Sequence, residues 1–168
     1  SYGLSLAFLR EDVPELQADD VAAIAAEGAR WAAEKWDLPV LVEDTGLFIE
    51  ALGGFPGPYA SYVLRTIGLE GVLKLLEGVQ DRGAYFKTAL AFCDGAGSEP
   101  VVFIGEARGL ISERPRGSGG FGYDPIFVPE GGGGRTFAEM SRSEKNALSH
   151  RAKAFRAFSE WYLARMSR

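Results

Sequence analysis

Residues 39–47 place a short apolar run directly before two adjacent carboxylates, and this stretch constrains the fold most strongly. The apolar residues 40–42, preceded by a proline, predict a short, fully buried strand. Glu43 and Asp44 follow where that strand is expected to end, and residues 45–46 predict a turn. Because ligands of open α/β sheets bind beyond the carboxyl ends of strands, we expect the chemistry of the chain here.

Adjacent carboxylates repel each other unless they share something positive, and a hard divalent cation with oxygen ligands is the usual partner. The alternative is a solvated acidic turn, which a lone Glu-Asp pair favours. The loop at residues 52–59, with the sequence LGGFPGPY, shifts the balance towards a binding site. A loop fixed by glycine and proline is costly unless its backbone must approach something closely.

Composition predicts an ordinary globular protein. The 168 residues fit one domain, 1–168, with 46% hydrophobic and 24% charged residues. The net charge of −5 argues against nucleic acid as a partner, and no segment is long and apolar enough to span a membrane. The single cysteine, Cys93, lies in an apolar run, which fits a buried thiol and a reducing, cytoplasmic setting.

The order of the elements predicts an α/β fold. Residues 1–9 alternate partly and predict a strand, and Asp19 or Asp20 is expected to cap a helix that runs to about Trp36. The apolar runs at 84–93 and 100–111 predict a hairpin. Residues 126–129 predict a short strand. The inner face of the helix is expected to carry Val21, Ile24, Ala25, Gly28 and Ala32.

A second glycine-rich loop spans residues 116–125 and carries aromatic residues. It lacks the lysine and the following helix of a phosphate-binding loop. Phe121 is flanked by glycines, so it is either a stacking platform or a plug folded back onto the core. Asp124 can accept a hydrogen bond from a ring N–H. The loop alone does not decide between these alternatives.

The last helical region opens at Ser141 with the spacing of a capping box. Lys145, His150 and Arg151 are cationic groups near its beginning, and a helix N-terminus with added cations is a ready anion site. A lone histidine would more often be a packing or surface residue. Beside Lys145 and Arg151, a packing role and a ligand-binding role for His150 are about equally favoured.

Four stretches together resemble the inosine triphosphate pyrophosphatases, the enzymes that remove non-canonical purine nucleoside triphosphates. They cover nearly the whole chain in the order of that family. Their sequences are VEDTGL at 42–47, ALGGFPGPY at 51–59, FGYDP at 121–125 and SEKNALSHR at 143–151.

The resemblance implies a long mixed central β-sheet flanked by helices, in two lobes with the substrate in the cleft between them. It also implies magnesium-dependent hydrolysis of ITP, dITP and XTP to the nucleoside monophosphate and pyrophosphate, and a homodimer. A purine-nucleotide-binding protein with weak catalysis is the alternative. The partner is then a small-molecule nucleotide, with neither nucleic acid nor a membrane involved.

The resemblance also implies roles for individual residues. Asp44 would be the catalytic carboxylate and, with Glu15 and Glu43, a magnesium ligand. Phe121 would stack on the purine, and Asp124 would bond its Watson–Crick edge. Lys145 would contact the nucleotide, while His150 and Arg151 would read the 6-keto group. The remaining substrate-binding residues would be Thr45, Gly46, Gly122 and Tyr123.

The sequence departs from the family pattern at two places. Members begin with a strand that ends in a Thr/Ser-x-Asn-x-x-Lys turn around the triphosphate, and Ser1 is expected to lie after that segment. A lysine often occurs on the first helix where this chain has Gly28. The first departure is the reason to keep the binding-only alternative.

Overall fold

The computed structural model describes residues 3–167. The helices are α1 (Val21–Trp36), α2 (Ala60–Thr66), α3 (Gly68–Leu75), α4 (Arg142–Leu148) and α5 (His150–Met166). The strands are β1 (Val40–Ile49), β2 (Pro56–Gly57), β3 (Gly83–Cys93), β4 (Val101–Ile111) and β5 (Phe127–Pro129). Two 3₁₀ turns lie at Glu50–Leu52 and Phe137–Glu139.

The strands form one sheet in the order β2-β1-β3-β4-β5. The pairings among these described strands are all antiparallel, whereas a mixed sheet would include parallel ones. On β3, Ala89 and Ala91 pack with α1, and the alternate residues Leu90 and Phe92 pack with α5. Since successive side chains of a strand point to opposite faces, α1 and α5 cover opposite faces of the sheet. The predicted α/β class is confirmed.

β1 is longer than the sequence predicted. It continues through both carboxylates to Ile49, so the expected end at Glu43 and the turn at residues 45–46 are wrong. Gly46 is not a turn residue; it lies where β2 passes, and a Cβ atom there would lie 2.8 Å from the carbonyl oxygen of Gly57. The carboxylates therefore lie within an antiparallel strand and not beyond the carboxyl end of a parallel one.

α1 confirms its prediction closely. Asp20 is the N-cap, and its side chain accepts a hydrogen bond from the backbone N–H of Ala22. The predicted inner face is buried, and it consists mostly of alanine and glycine. A Cβ atom on Gly28 would lie 3.2 Å from side-chain atoms of both Val13 and Val42, so small residues keep this helix close to the sheet.

The predicted hairpin is confirmed as β3 and β4, and the predicted short strand is confirmed as β5. The strand predicted at 1–9 is wrong for residues 3–9, which form no strand, and its first two residues lie outside the described part. Cys93 is buried, as predicted. No helix in the described part has both the length and the apolar character that crossing a membrane requires.

The last helical region is two helices rather than one. Ser141 opens α4 with the predicted capping box, and Ser149 both ends α4 and caps α5 through a hydrogen bond from the N–H of Ala152. The break places His150 in the first turn of α5. Lys145 and His150 therefore lie on different helices that meet at one residue.

Candidate active site

The first candidate cavity, here called the acidic cavity, has a volume of about 510 Å³. It lies beside β1, where residues 40–46 pair on one side only, with β3, among the described strands. The segment at residues 6–15, α1, Leu90 of β3 and two residues of α5 contribute the other walls. The predicted metal ligands Glu15, Glu43 and Asp44 all line this cavity.

Asp44 is a largely buried carboxylate of this cavity with a raised pKa. Burial, followed by the negative charge of Glu15, raises its pKa to about 7, and the charge of Glu43 adds less. Its Oδ2 atom is buried without a hydrogen-bond partner among the described residues. An unpaired carboxylate oxygen next to a second carboxylate fits a cation. A positive charge would offset both the burial of the unpaired oxygen and the repulsion between the two carboxylates.

The three carboxylates are not a preformed ligand set. Among residues 3–167, no group of three or more His, Cys, Asp and Glu side chains is arranged to hold a metal ion. Glu43 and Asp44 are neighbours in one strand, so their side chains leave opposite faces of the sheet. Asp44 lies opposite Ala89 on the α1 face, and Glu43 lies opposite Leu90 on the α5 face.

Glu43 already has a cationic partner. The Nε atom of Arg151 donates to both carboxylate oxygens of Glu43, each at 2.9 Å. The guanidinium group also lies 5.4 Å from the ring centroid of Phe155. Two of the residues predicted for different parts of the site are therefore in direct contact.

The second candidate cavity, here called the cationic cavity, has a volume of about 990 Å³. It lies between the glycine loop and the helices α4 and α5. Phe121, Lys145, His150 and Arg151 line it, so four predicted substrate-binding residues come together here. Arg151 and Phe155 line both cavities, which makes them the boundary between the two.

Phe121 is a platform rather than a plug, because 72% of its surface is exposed. The Nζ atom of Lys145 lies 4.4 Å from its ring centroid. Asp124 is buried behind them and is not part of the cavity wall. Its Oδ2 atom accepts hydrogen bonds from Lys145 Nζ at 2.5 Å and from the N–H of Phe121 at 2.9 Å. Asp124 thus holds two residues that face the cavity, and its contact with a purine edge stays a prediction.

His150 is buried and stacks on Phe86, with ring centroids 4.5 Å apart. Its Nδ1 atom has no hydrogen-bond partner among the described residues. Burial lowers the pKa of its imidazole to about 3, and Lys145 and Arg151 add to this effect. At neutral pH the imidazole is therefore uncharged and has both packing contacts and one free polar atom.

Four predicted substrate-binding residues lie in packed positions beside the cavities. Thr45 shares a hydrogen bond of 2.6 Å with Thr88 inside the sheet, and Gly46 packs against β2. Tyr123 is a core residue whose hydroxyl donates to the carbonyl of Ala60, and burial raises its pKa to about 12. Gly122 has a positive φ of 63° in the loop that carries Phe121. None of the four forms part of either cavity wall, so their binding roles stay predictions.

Sequence reasoning missed two residues that shape the site. Phe155 lies one helical turn after Arg151, and the i, i+4 spacing puts both on one face of α5. Gly105 on β4 gave no sequence signal. A Cβ atom there would lie 1.9 Å from the carbonyl oxygen of His150, so its missing side chain lets the first turn of α5 rest on the sheet.

A model of the Ham1 family matches residues 3–161 of the sequence. The chain belongs to the Ham1 family. Similar family proteins include the dITP/XTP pyrophosphatase of Methanopyrus kandleri, which is 56% identical over 161 residues, 96% of this chain and 85% of that protein. The dITP/XTP pyrophosphatase of Thermococcus kodakarensis is 50% identical over 159 residues, 95% of this chain and 84% of that protein.

Solved Ham1 structures share the fold. The HAM1 protein from Coxiella burnetii has a TM-score of 0.83 and 34% identity, with 90% of this chain and 82% of that chain covered. The Ham1 protein of Staphylococcus aureus has a TM-score of 0.84 and 29% identity, with 93% of this chain and 82% of that chain covered. The chain that carries the two cavities therefore has the Ham1 fold.

Proposed function

We propose that this Ham1 protein hydrolyses non-canonical purine nucleoside triphosphates, namely ITP, dITP and XTP. Water adds across the phosphoanhydride bond between the α and β phosphates, which gives the nucleoside monophosphate and pyrophosphate. The similarity to proteins named dITP/XTP pyrophosphatase supports this substrate class. The observation that carries the proposal is that the acidic and cationic cavities meet at Arg151 and Phe155.

The acidic cavity is the proposed reaction centre. Asp44 is the proposed group that positions or deprotonates the attacking water, because its Oδ2 atom is buried without a hydrogen-bond partner among the described residues. Asp44 and Glu15 are the proposed ligands of a magnesium ion, because their uncompensated charges favour a hard divalent cation. When bound, such an ion neutralises charge that develops on the phosphate oxygens.

The cationic cavity is the proposed base and nucleotide site. The exposed ring of Phe121 offers a stacking surface, and Lys145 and Arg151 supply hydrogen-bond donors at its sides. A 6-keto purine accepts from such donors, whereas the 6-amino group of adenine leaves them unpaired. A site of this kind discriminates against the mismatched base, because donors that a bound base covers without pairing are costly.

The direct test is pyrophosphate release from ITP, with ATP and GTP as controls and with or without magnesium. We expect release that depends on magnesium and is much faster with ITP. The variant Asp44→Asn should lower turnover by about a thousandfold and still bind IMP, since a general base contributes about this factor. Equal rates with ATP, or full activity of Asp44→Asn, would refute the proposed roles. Binding of IMP without any hydrolysis would favour the binding-only alternative.

We further propose that the enzyme acts in the cytoplasm as a homodimer, in keeping with the family it resembles. The net charge of −5 supports a nucleotide rather than a nucleic acid as its partner. Size-exclusion chromatography with light scattering checks the dimer. A mass of 18.1 kDa, which is that of one chain, would refute it.

A further inference from the structure

Glu43 makes a contact that a metal ligand does not require. Its carboxylate accepts from Arg151 Nε through both oxygens, and the two residues are 108 positions apart in the sequence. The side chain of Glu43 is 28% exposed and that of Arg151 is 56% exposed. Ion pairs this exposed contribute little to stability, so a stabilising role does not explain the pair.

The main chain of Arg151 is already fixed by its surroundings. Gly105 lets the first turn of α5 rest directly on β4, since a Cβ atom added there would lie only 1.9 Å from the carbonyl oxygen of His150. Lys153 Nζ then donates to the carbonyl oxygen of Glu106 on the same strand, at 2.7 Å. The only freedom left to Arg151 is that of its long side chain. Glu43 on one side and the Phe155 ring on the other remove it.

The pair also lies at the boundary between the two cavities. Arg151 lines both of them, and Glu43 lines only the acidic one. Because β1 alternates, Glu43 is the carboxylate on the α5 face, whereas Asp44 faces α1. Glu43 is therefore placed to reach Arg151, and Asp44 is not.

We infer that Glu43 is a positioning residue for base selection: it holds the guanidinium group of Arg151 at the boundary of the two cavities, where Arg151 contacts the purine. This inference rests on the proposed function. It gives Glu43 a role different from that of Asp44 and Glu15. Loss of Glu43 should weaken and relax base recognition and leave the metal site intact.

The test is Glu43→Gln with Glu50→Gln as its matched control. Glu50 also forms an exposed ion pair with an arginine, Arg108, but lies outside both cavities. For Glu43→Gln we expect KM for ITP to rise about fivefold, the effect of having to order one long side chain on binding. Discrimination against ATP should fall by a similar factor, with kcat within about twofold of the wild type. Glu50→Gln should change none of these values.

Two further measurements separate positioning from metal binding. Calorimetric titration with Mn²⁺ should give the same affinity for Glu43→Gln and the wild type. Arg151→Lys should reproduce the loss of discrimination, because an ammonium group lacks the planar set of donors that the guanidinium group presents. An Mn²⁺ affinity at least tenfold weaker in Glu43→Gln, together with a collapse of kcat, would overturn the inference and make Glu43 a ligand.

Binding of IMP distinguishes failure of the inference from failure of the proposed function. If the wild type binds IMP but hydrolyses nothing, the proposed function fails. The inference then still predicts about fivefold weaker IMP binding by Glu43→Gln. If the wild type hydrolyses ITP and Glu43→Gln keeps its KM and its discrimination, only the inference fails. If the wild type neither binds IMP nor hydrolyses ITP, both fail.

Discussion

His150 should remain uncharged in the folded protein well below the pH at which histidine normally takes up a proton. Its side chain is 9% exposed and stacks on Phe86. Burial, and then the charges of Lys145, Arg151 and Lys153, lower the pKa of its imidazole to about 3, from an ordinary value of 6.5. The unfolded chain therefore binds a proton between these values that the folded chain does not.

This difference links stability to pH. The folded pKa is depressed, so the contribution is fully present above pH 6.5 and is lost as the pH falls towards 3. Each pH unit in this window changes the free energy of unfolding by about 1.4 kcal/mol, which amounts to about 2 kcal/mol between pH 6.5 and pH 5. For a chain of this length, that corresponds to a decrease in Tm of about 4–8 °C.

Urea denaturation of the wild type and His150→Gln at pH 7, 6 and 5 measures the effect. Between pH 7 and pH 5 the free energy of unfolding of the wild type should fall by about 2 kcal/mol more than that of the variant. The comparison removes the contribution of the carboxylates, which both proteins share. His150 is the sole histidine of the sequence, so one imidazole signal in a proton NMR titration reports its pKa directly. A midpoint near 6.5 in the folded protein, or parallel pH profiles of the two proteins, would refute the reasoning.

Four further substitutions test other contacts. In the presence of a chelator, thermal melts should show Asp44→Asn more stable than the wild type at pH 8 by about 1–2 kcal/mol. The pKa of Asp44 is raised to about 7, so its contribution to stability is lost as the pH rises towards 7, and partial solvent exposure of the carboxylate limits the size of the effect. Gly105→Ala and Gly109→Ala each force a backbone shift and should lower the free energy of unfolding by about 1–3 kcal/mol in denaturation experiments. Only Gly105→Ala should raise KM for ITP, because Gly105 contacts α5 whereas Gly109 contacts β5. Phe121→Ala should raise KM for ITP about tenfold with an unchanged Tm, since its ring is 72% exposed; an unchanged KM would exclude stacking.

Local sequence signals predicted the elements whose determinants lie within a few residues. The capping aspartate at Asp20 and the small apolar face fixed the start and orientation of α1. The capping box at Ser141 marked the start of α4. The cluster of Lys145, His150 and Arg151 was also recognised, because all three are close in sequence and lie around two adjoining helix ends.

Long-range contacts determined what the sequence could not predict. Gly46 suggested a turn, but the approach of Gly57 from β2 is what requires a glycine there. Because β1 was predicted to end at Glu43, the sequence did not indicate that Glu43 and Asp44 point to opposite faces of one strand. The partner of Glu43 lies 108 residues away, and no local pattern identifies it. The break at Ser149 gave no sequence signal, because Leu148 and Ala152 on either side of it keep the i, i+4 spacing of one helix.

The small side chains on the buried face of α1 make the acidic and cationic cavities differ in how easily a substitution can reshape them. Along the wall that α1 gives to the acidic cavity, Gly28 brings the helix so close to Val42 that the width there is set by the close packing of helix and sheet. The cationic cavity is lined by long side chains such as Lys145 and Arg151, which adopt new rotamers easily. In a lineage of such proteins, the base that is accepted can therefore diverge by single substitutions. A change in the reacting group would require the whole helix to move.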